Sequence, residues 1–262
     1  MEPITSTRNP RVRDLVALHR RRERRARGQH LVEGPNAVLA ALAAGVVEEL
    51  WATEEALAGL ELPVGTPLVP VAEHVLDRLA DAKTPQGIVA LARTPSVSLS
   101  EVVGRGLLVV LDAVADPGNI GTIVRTADAA GATAVVVTEG SADVFAPKTV
   151  RAAAGSTYHL PIVTDVAMAE VIDACQAAEQ SVFGLDGSGE RSVEDLERNH
   201  AAVALVLGNE AHGLSGATTE LLDGRVAIAL RGRAESLNVA AAAAIAIYAA
   251  ARGVHGGAAP DR

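Results

Sequence analysis

The order of apolar runs along this chain predicts an α/β protein built as two domains, residues 1–95 and 104–255. From Leu107 onward, short apolar runs alternate regularly with alanine-rich segments, the pattern of a parallel sheet with helices on its faces. Ahead of residue 92 a smaller set of runs makes a separate α/β unit. Between the two, Arg93-Thr94-Pro95-Ser96 reads as a linker, because Pro and Ser interrupt both the helical and the strand period.

In the first domain, residues 11–27 read as helical and His30 to Glu33 as a short strand. Gly34-Pro35-Asn36 leads into an alanine-leucine helix that closes at Gly45. Glu48 to Ala52 is the next strand, Glu54 to Gly59 a helical turn, and Pro67 to Val71 a third strand. Ala72 to Ala82 is an amphipathic helix by the spacing of Val75, Leu76 and Leu79, and Gly87 to Leu91 completes the unit. In the second domain the strands fall at 107–111, 133–138, 157–163, 181–185, 202–207 and 225–230. Helices fall at 119–130, 146–154, 166–179, 192–197 and 236–251. The last is almost entirely apolar, so it is expected to be buried or packed on a partner subunit; it is too short for a bilayer, which needs about 20 apolar residues.

Composition narrows the class. An apolar fraction of 49% over 262 residues is ample for real cores. The single cysteine, Cys175, allows no intramolecular disulfide, and the N-terminus is arginine-rich without the apolar stretch of a secretory signal, so a cytoplasmic protein is expected. The seven histidines do not fall at metal-ligand spacings, and no metal is expected. The net charge of −9 is unevenly spread: residues 1–27 carry nine arginines (8, 11, 13, 20, 21, 22, 24, 25 and 27) against Glu2, Asp14 and Glu23, leaving 14 basic and 29 acidic residues elsewhere. Such a cluster is either a solvated helix face or a phosphate-contacting arm that gains from counterion release. With aromatic residues at 2%, base stacking is not the main source of any RNA affinity.

Polar residues follow three of the apolar strands. After 107–111 comes Asp116-Pro117-Gly118-Asn119-Ile120-Gly121-Thr122-Ile123-Val124-Arg125-Thr126-Ala127. Pro117-Gly118 makes the turn, Asn119 is placed to cap a helix, and Arg125 stands nearly two turns in, on a stripe with Thr122 and Asp128. After 202–207 come Gly208-Asn209-Glu210, and after 225–230 the loop 231–235 reaches Ser236, a good cap for the final helix. Singly these are a turn, a turn and a cap. At three successive strand ends they fall where ligands bind in open α/β sheets. Neither the G-x-G-x-x-G fingerprint after the first strand nor a Walker sequence is present, which disfavours a dinucleotide oxidoreductase and a Rossmann-type methyltransferase.

DPGNIGTIVRTA, LVLGNEAHGLS and IALRGRAESLNVAAAAAIA, in that order over residues 105–253, resemble the three motifs of the SpoU (TrmH-like) RNA 2′-O-ribose methyltransferases of the SPOUT superfamily. The first ninety residues, including Lys83-Thr84-Pro85-Gln86-Gly87-Ile88-Val89-Ala90, resemble the small ribosomal-protein-like substrate-binding domain that precedes the catalytic domain in many members. The resemblance implies a C-terminal trefoil knot whose loops hold S-adenosylmethionine, with Gly208, Ile228 and Leu237 at cofactor-binding positions and Leu207, Asn209 and Leu230 beside them. It implies Arg125 as the arginine that serves the ribose hydroxyl, supported by Asn119, Glu210, Ser236 and Asn238. Either Arg125 is strongly perturbed and acts as base, or it positions the adjacent phosphate while another group takes the proton. Ala229 stands where proline is common, and Arg231 and Glu235 where small polar residues are common, which bears on the shape of the cofactor loop. Further implications are a homodimer with its active site at the subunit interface, no membrane association, and an RNA substrate, rRNA first and tRNA second. Some members of the rRNA-modifying branch confer antibiotic resistance. Arg11, Arg13, Arg20, Arg21 and Arg24 are the expected RNA contacts of the arm. A non-catalytic RNA-binding protein of the same fold is the competing class, and the intact polar set argues against it.

Overall fold

The computed structural model describes residues 2–58, 60–198 and 201–256, which form two compact units. Unit 1 comprises residues 1–95 with 143–159, and unit 2 comprises 96–142 with 160–262. Segment 143–159 was expected in the second domain, and it packs with the first.

Unit 1 opens with α1 (Pro10–Ala17) and α2 (Arg21–Arg27). The single helix expected over 11–27 is broken at Leu18–Arg20, and the side chain of Arg24 accounts for the break: its guanidinium donates to the carbonyls of Leu18 and His19, both at 2.8 Å. Then follow β1 (Gln29–Glu33), α3 (Pro35–Ala43), β2 (Val47–Ala52), α4 (Glu54–Leu57), β3 (Leu68–Pro70), α5 (Glu73–Leu79) and β4 (Ile88–Arg93). Gly59, expected to end the helical turn at α4, lies outside the described residues. The sheet order is β1-β4-β2-β3, antiparallel except for β2 with β3.

Period-two alternation gives this sheet two buried faces. Val89 and Leu91 of β4 belong to a core with Val12, Leu15, Trp51 and Leu79, whereas Ile88, Ala90 and Ala92 belong to one with Ala37, Val38, Ala41 and Val150. The unit also buries polar groups. Fully buried His30 shares hydrogen bonds with the Tyr158 hydroxyl (2.9 Å) and Thr94 Oγ1 (3.3 Å). Burial lowers its pKa to about 3, the Asp143 charge opposing this shift, so the imidazole is neutral. Arg24, 5% exposed, pairs with Asp143 at 2.5–2.9 Å.

Unit 2 continues with β5 (Leu107–Leu111), α6 (Pro117–Ala129) and β6 (Ala134–Thr138). The next helix, α7 (Pro147–Ala153), and the 3-10 turn Ser156–Tyr158 belong to unit 1. Unit 2 then resumes with β7 (Ile162–Val166), α8 (Met168–Ala177), β8 (Ser181–Leu185), β9 (Arg191–Ser192), β10 (Val203–Leu207), α9 (Gly216–Thr219), β11 (Gly224–Ala227) and α10 (Val239–Val254). The strand expected over 157–163 begins only at Ile162, because the 3-10 turn occupies its first residues. The segment expected as a helix over 192–197 is a 3-10 helix, Val193–Arg198.

All seven strands of unit 2 pair in parallel, in the order β7-β6-β5-β10-β8-β11-β9. Every residue of β5, β6 and β10 is buried, as expected for strands covered on both faces. On one face α8 contributes Val171, Ile172 and Cys175 to the core, where burial pushes the Cys175 thiol up to about 11. Helix α10 packs on α6, β10 and the 3-10 helix, burying Ala243, Ala246, Ile247 and Ala250. It leaves Ile245 and Tyr248 44% and 47% exposed in the single chain. No helix among the described residues is long and apolar enough to cross a membrane.

Candidate active site

The carboxyl ends of β5, β10 and β11 carry the polar residues singled out in the sequence. Chain order reverses in this part of the sheet, since β5 leads to β6 on one side while β10 and β8 lie on the other. That switch leaves the loops room for a crevice outside the strand ends.

Asp116 caps α6, its carboxylate accepting from the Asn119 N–H at 3.0 Å, so the helix starts at Pro117 and Asn119 is not its cap. Freed from capping, the Asn119 amide joins a side-chain chain across three loops. Its Nδ2 donates to Glu210 Oε1 (2.9 Å), and its Oδ1 accepts from Asn238 Nδ2 (3.2 Å). Glu210 also receives the backbone N–H groups of Ala115 (2.9 Å) and Asp116 (3.0 Å). Burial of Glu210 opposes ionisation, but the three hydrogen bonds outweigh it and hold the carboxyl below its ordinary range. At the other end, Asn238 Oδ1 accepts from Ala240 N (2.9 Å) and Ala241 N (3.3 Å), so Asn238 caps α10 and the helix begins three residues later than the expected Ser236 start.

The loop after β10 is closed on itself by mutual backbone bonds between Asn209 and Gly213 (3.0 and 2.9 Å). A Cβ on Gly208 would lie 2.5–2.7 Å from the backbone of Gly213 and Leu214, so only glycine permits this closure. Asn209 holds the loop from within: its Oδ1 accepts from the N–H groups of Ala211 and His212, and its Nδ2 donates to the Ala113 carbonyl at 2.9 Å. Ala113 has φ +56°, a left-handed conformation that is strained for alanine.

Above these loops lies a cavity of about 350 Å³ whose walls include all six residues assigned to the cofactor: Leu207, Gly208, Asn209, Ile228, Leu230 and Leu237. Glu210, Ser236 and the atypical Glu235 line it too. Strand β11 ends at Ala227, earlier than the expected Leu230, and this frees Ile228 and Leu230 to form the wall. Sequence reasoning missed Asp186, Gly187 and His212. Asp186 follows β8 just as Gly208 follows β10, and its Oδ1 accepts the Ser188 hydroxyl and N–H (both 2.7 Å), which keep the carboxyl below the ordinary range. The polar residue after a fourth apolar strand was the signal that could have found it.

Arg125 is not part of this hydrogen-bonded set. It stands on the exposed face of α6, roughly 9 Å along the axis from Asn119, without a hydrogen bond or ion pair among the described residues. Ser236 likewise makes no side-chain hydrogen bond there. Of the arm's arginines, Arg13, Arg20 and Arg21 are exposed, and exposed Arg11 pairs with Glu49 (2.8 Å) and lies over the Trp51 ring. Arg24 corrects the expectation of an RNA contact: buried and ion-paired, it has no face to offer a phosphate.

The SpoU rRNA Methylase family model matches residues 106–248, more than half of the chain. The chain belongs to the SpoU rRNA methylase family. Residues 9–90 match an MRM3-like substrate binding domain. Among SpoU relatives, the chain is 36% identical to the 23S rRNA (guanosine(2553)-2′-O)-methyltransferase RlmP of Bacillus subtilis, covering 95% of this chain and 98% of RlmP. It is 35% identical to the 23S rRNA (uridine(2479)-2′-O)-methyltransferase of Streptomyces viridochromogenes, over 95% and 91% of the two chains. The AdoMet-bound rRNA methyltransferase from Sinorhizobium meliloti superposes with a TM-score of 0.85 at 31% identity, over 95% and 97%. AviRb from S. viridochromogenes in complex with AdoMet gives 0.83 at 33%, over 94% and 98%. The architecture is therefore that of the SPOUT methyltransferases, with a substrate-binding domain ahead of the SpoU domain.

Proposed function

We propose that this chain is an S-adenosylmethionine-dependent methyltransferase that methylates a ribose 2′-hydroxyl in 23S rRNA. The observation that carries the reading is the convergence of all six cofactor-assigned residues on one cavity beside the Glu210–Asn119–Asn238 chain. The cavity fits the cofactor in kind. Its volume of about 350 Å³ falls within the small-molecule range of roughly 300–1,000 Å³, Leu207, Ile228, Leu230 and Leu237 give an apolar wall, and the carboxylates of Asp186, Glu210 and Glu235 suit a sulfonium cation. When bound, S-adenosylmethionine supplies an electrophilic methyl group for in-line displacement. The chain's part is alignment. Glu210 and Asn238 fix the Asn119 amide between them, while Arg125, with five donors and no acceptor on its guanidinium, is assigned to hold the RNA at the ribose hydroxyl. That role needs no proton acceptance by arginine, and the hydroxyl proton passes to water as the oxygen takes the methyl group.

The exposed Ile245 and Tyr248 on α10 support a homodimer, since a helix with no polar face between them gains by covering them. A dimer also gives Arg125, isolated within one chain, a partner's site to serve. The loops 208–214 and 228–238 are read as those of the family's trefoil knot, and the protein as cytoplasmic. Arg13, Arg20 and Arg21 are the exposed arm residues assigned to phosphates, with Arg11 held partly by Glu49.

Arg125→Ala tests the assignment on a 23S rRNA transcript with labelled cofactor. Turnover should fall more than tenfold, at least about 1.4 kcal/mol of barrier, with calorimetric cofactor affinity within a few-fold of wild type. Turnover above a tenth of wild type would remove Arg125 from the site, and methyl transfer by the wild-type protein to tRNA alone would move the substrate.

A further inference from the structure

Unit 1 contains a larger cavity than the cofactor pocket, about 670 Å³, between the start of α3, the loop 80–86 and α7. Its floor is closed by ions that satisfy one another. Arg151 donates to Glu33 (3.0 Å) and Asp81 (2.8 Å), and Glu33 also accepts the N–H groups of Asp81 (2.6 Å) and Ala82 (3.1 Å). Arg151, the cation among the lining residues, is taken up by these two carboxylates, which disfavours a phosphate here.

The rim has the opposite character. Asn36, Thr84 and Gln86 line the cavity with side chains that are exposed and make no hydrogen bond among the described residues. Pro35 and Pro85 stand beside them and offer flat apolar faces. Gly34, with φ +87°, keeps the Gln86 amide at the rim, because a Cβ there would come within 3.1 Å of Gln86 Oε1. Neutral amides that each present a donor beside an acceptor match the edge of a nucleobase, and a fully paired helix does not expose such edges to a cleft of this kind. We infer that this cavity takes an unpaired nucleobase of the RNA substrate, read by the amides of Asn36 and Gln86, with the phosphates left to Arg13, Arg20 and Arg21. The inference rests on the reading of the chain as an RNA methyltransferase and names the subsite by which its first unit selects single-stranded RNA.

The test uses the full chain, the Asn36→Ala/Gln86→Ala double variant and an Arg13→Ala/Arg20→Ala/Arg21→Ala variant. Binding of fluorescein-labelled dodecamers of rA, rC and rU and of a 12-base-pair RNA duplex is followed by anisotropy over a salt series. The amide variant should lose at least about tenfold on one or more single strands, the scale of one bidentate pairing with a base, with duplex affinity, salt slope and thermal melt unchanged. The arginine variant should instead flatten the log–log salt slope by about 0.7 for each phosphate no longer neutralised. Unchanged single-strand affinity in the amide variant, an equal loss on the duplex, or a change in its salt slope would overturn the base subsite, the last by making it a phosphate site. A parallel methylation assay on the 23S rRNA transcript separates the two readings. A wild-type protein that methylates while the amide variant binds normally sinks the subsite alone. A protein that never methylates but shows the base-dependent loss keeps the subsite and sinks the proposed activity.

Discussion

Arg24 and Arg125 are the same side chain put to opposite uses in the two units. Arg24 is buried, ion-paired with Asp143 and bonded to two carbonyls, whereas Arg125 lies exposed on α6 without a partner among the described residues. The contrast extends to the units as wholes. Unit 1 closes ions and its buried histidine on groups of its own: Arg151 on Glu33 and Asp81, His30 on Tyr158 and Thr94. Unit 2 keeps its central strands β5 and β10 wholly apolar and gathers polar groups beyond their carboxyl ends, where Glu210, Asn119 and Asn238 are bonded together at the edge of a cavity. A buried charge in the first unit is therefore architecture, and a polar residue at a strand end in the second is available for chemistry. An arginine-rich sequence does not separate the two, because the difference lies in what faces each guanidinium.

Arg24→Ala should break the contrast most severely. It strands the Asp143 carboxylate in a site 15% exposed and should cost roughly 3–5 kcal/mol of unfolding free energy, as for other broken buried pairs. Cofactor affinity of the folded fraction should not change. Denaturant unfolding beside calorimetry checks both, and a loss under about 1 kcal/mol, the usual worth of an exposed pair, would return Arg24 to the surface set.

Gly208→Ala sharpens the comparison from the other side. Its Cβ would collide with the Gly213 backbone at 2.5 Å, so the loop that carries Asn209 and Glu210 must shift. Cofactor binding should weaken at least tenfold, about 1.4 kcal/mol. Normal affinity in that variant would place the cofactor elsewhere.

The smallest effect concerns pH. His30 has its pKa lowered from 6.5 to about 3 by burial, so below pH 6.5 the unfolded chain binds a proton that the folded chain refuses. Stability is thus fully present above pH 6.5 and falls by about 1.4 kcal/mol per pH unit below it, down to the folded pKa. Urea titrations between pH 5 and pH 7, above most carboxylate titration, should show this slope, and His30→Gln should flatten it. An unchanged slope in the variant would mean that other groups carry the acid sensitivity.

Much of the second unit was legible because its signals are local. Apolar runs such as Leu107–Leu111 and Val203–Leu207 have no polar position to compromise, and three motifs in fixed order carry the residues assigned to the site. The errors sit where a distant partner decides. Asn119 reads as a helix cap in sequence, but Asp116 takes that role and Glu210, 91 residues on, claims the amide. Strand β11 stops at Ala227 although its apolar run continues to Leu230, because the last residues are used as a wall.

What the sequence determined by itself was the period of each element, the division into a small and a large α/β unit, and the residue types at the strand ends, all properties of neighbours along the chain. Only the tertiary structure decided that segment 143–159 joins the first unit, that Arg24 is internal, and that Asn119, Glu210 and Asn238 share two hydrogen bonds. The physical reason is range. Helix and strand periods are fixed over a few residues, but whether a guanidinium or an amide is free depends on which group, tens of residues away, the fold brings within about 3 Å of it.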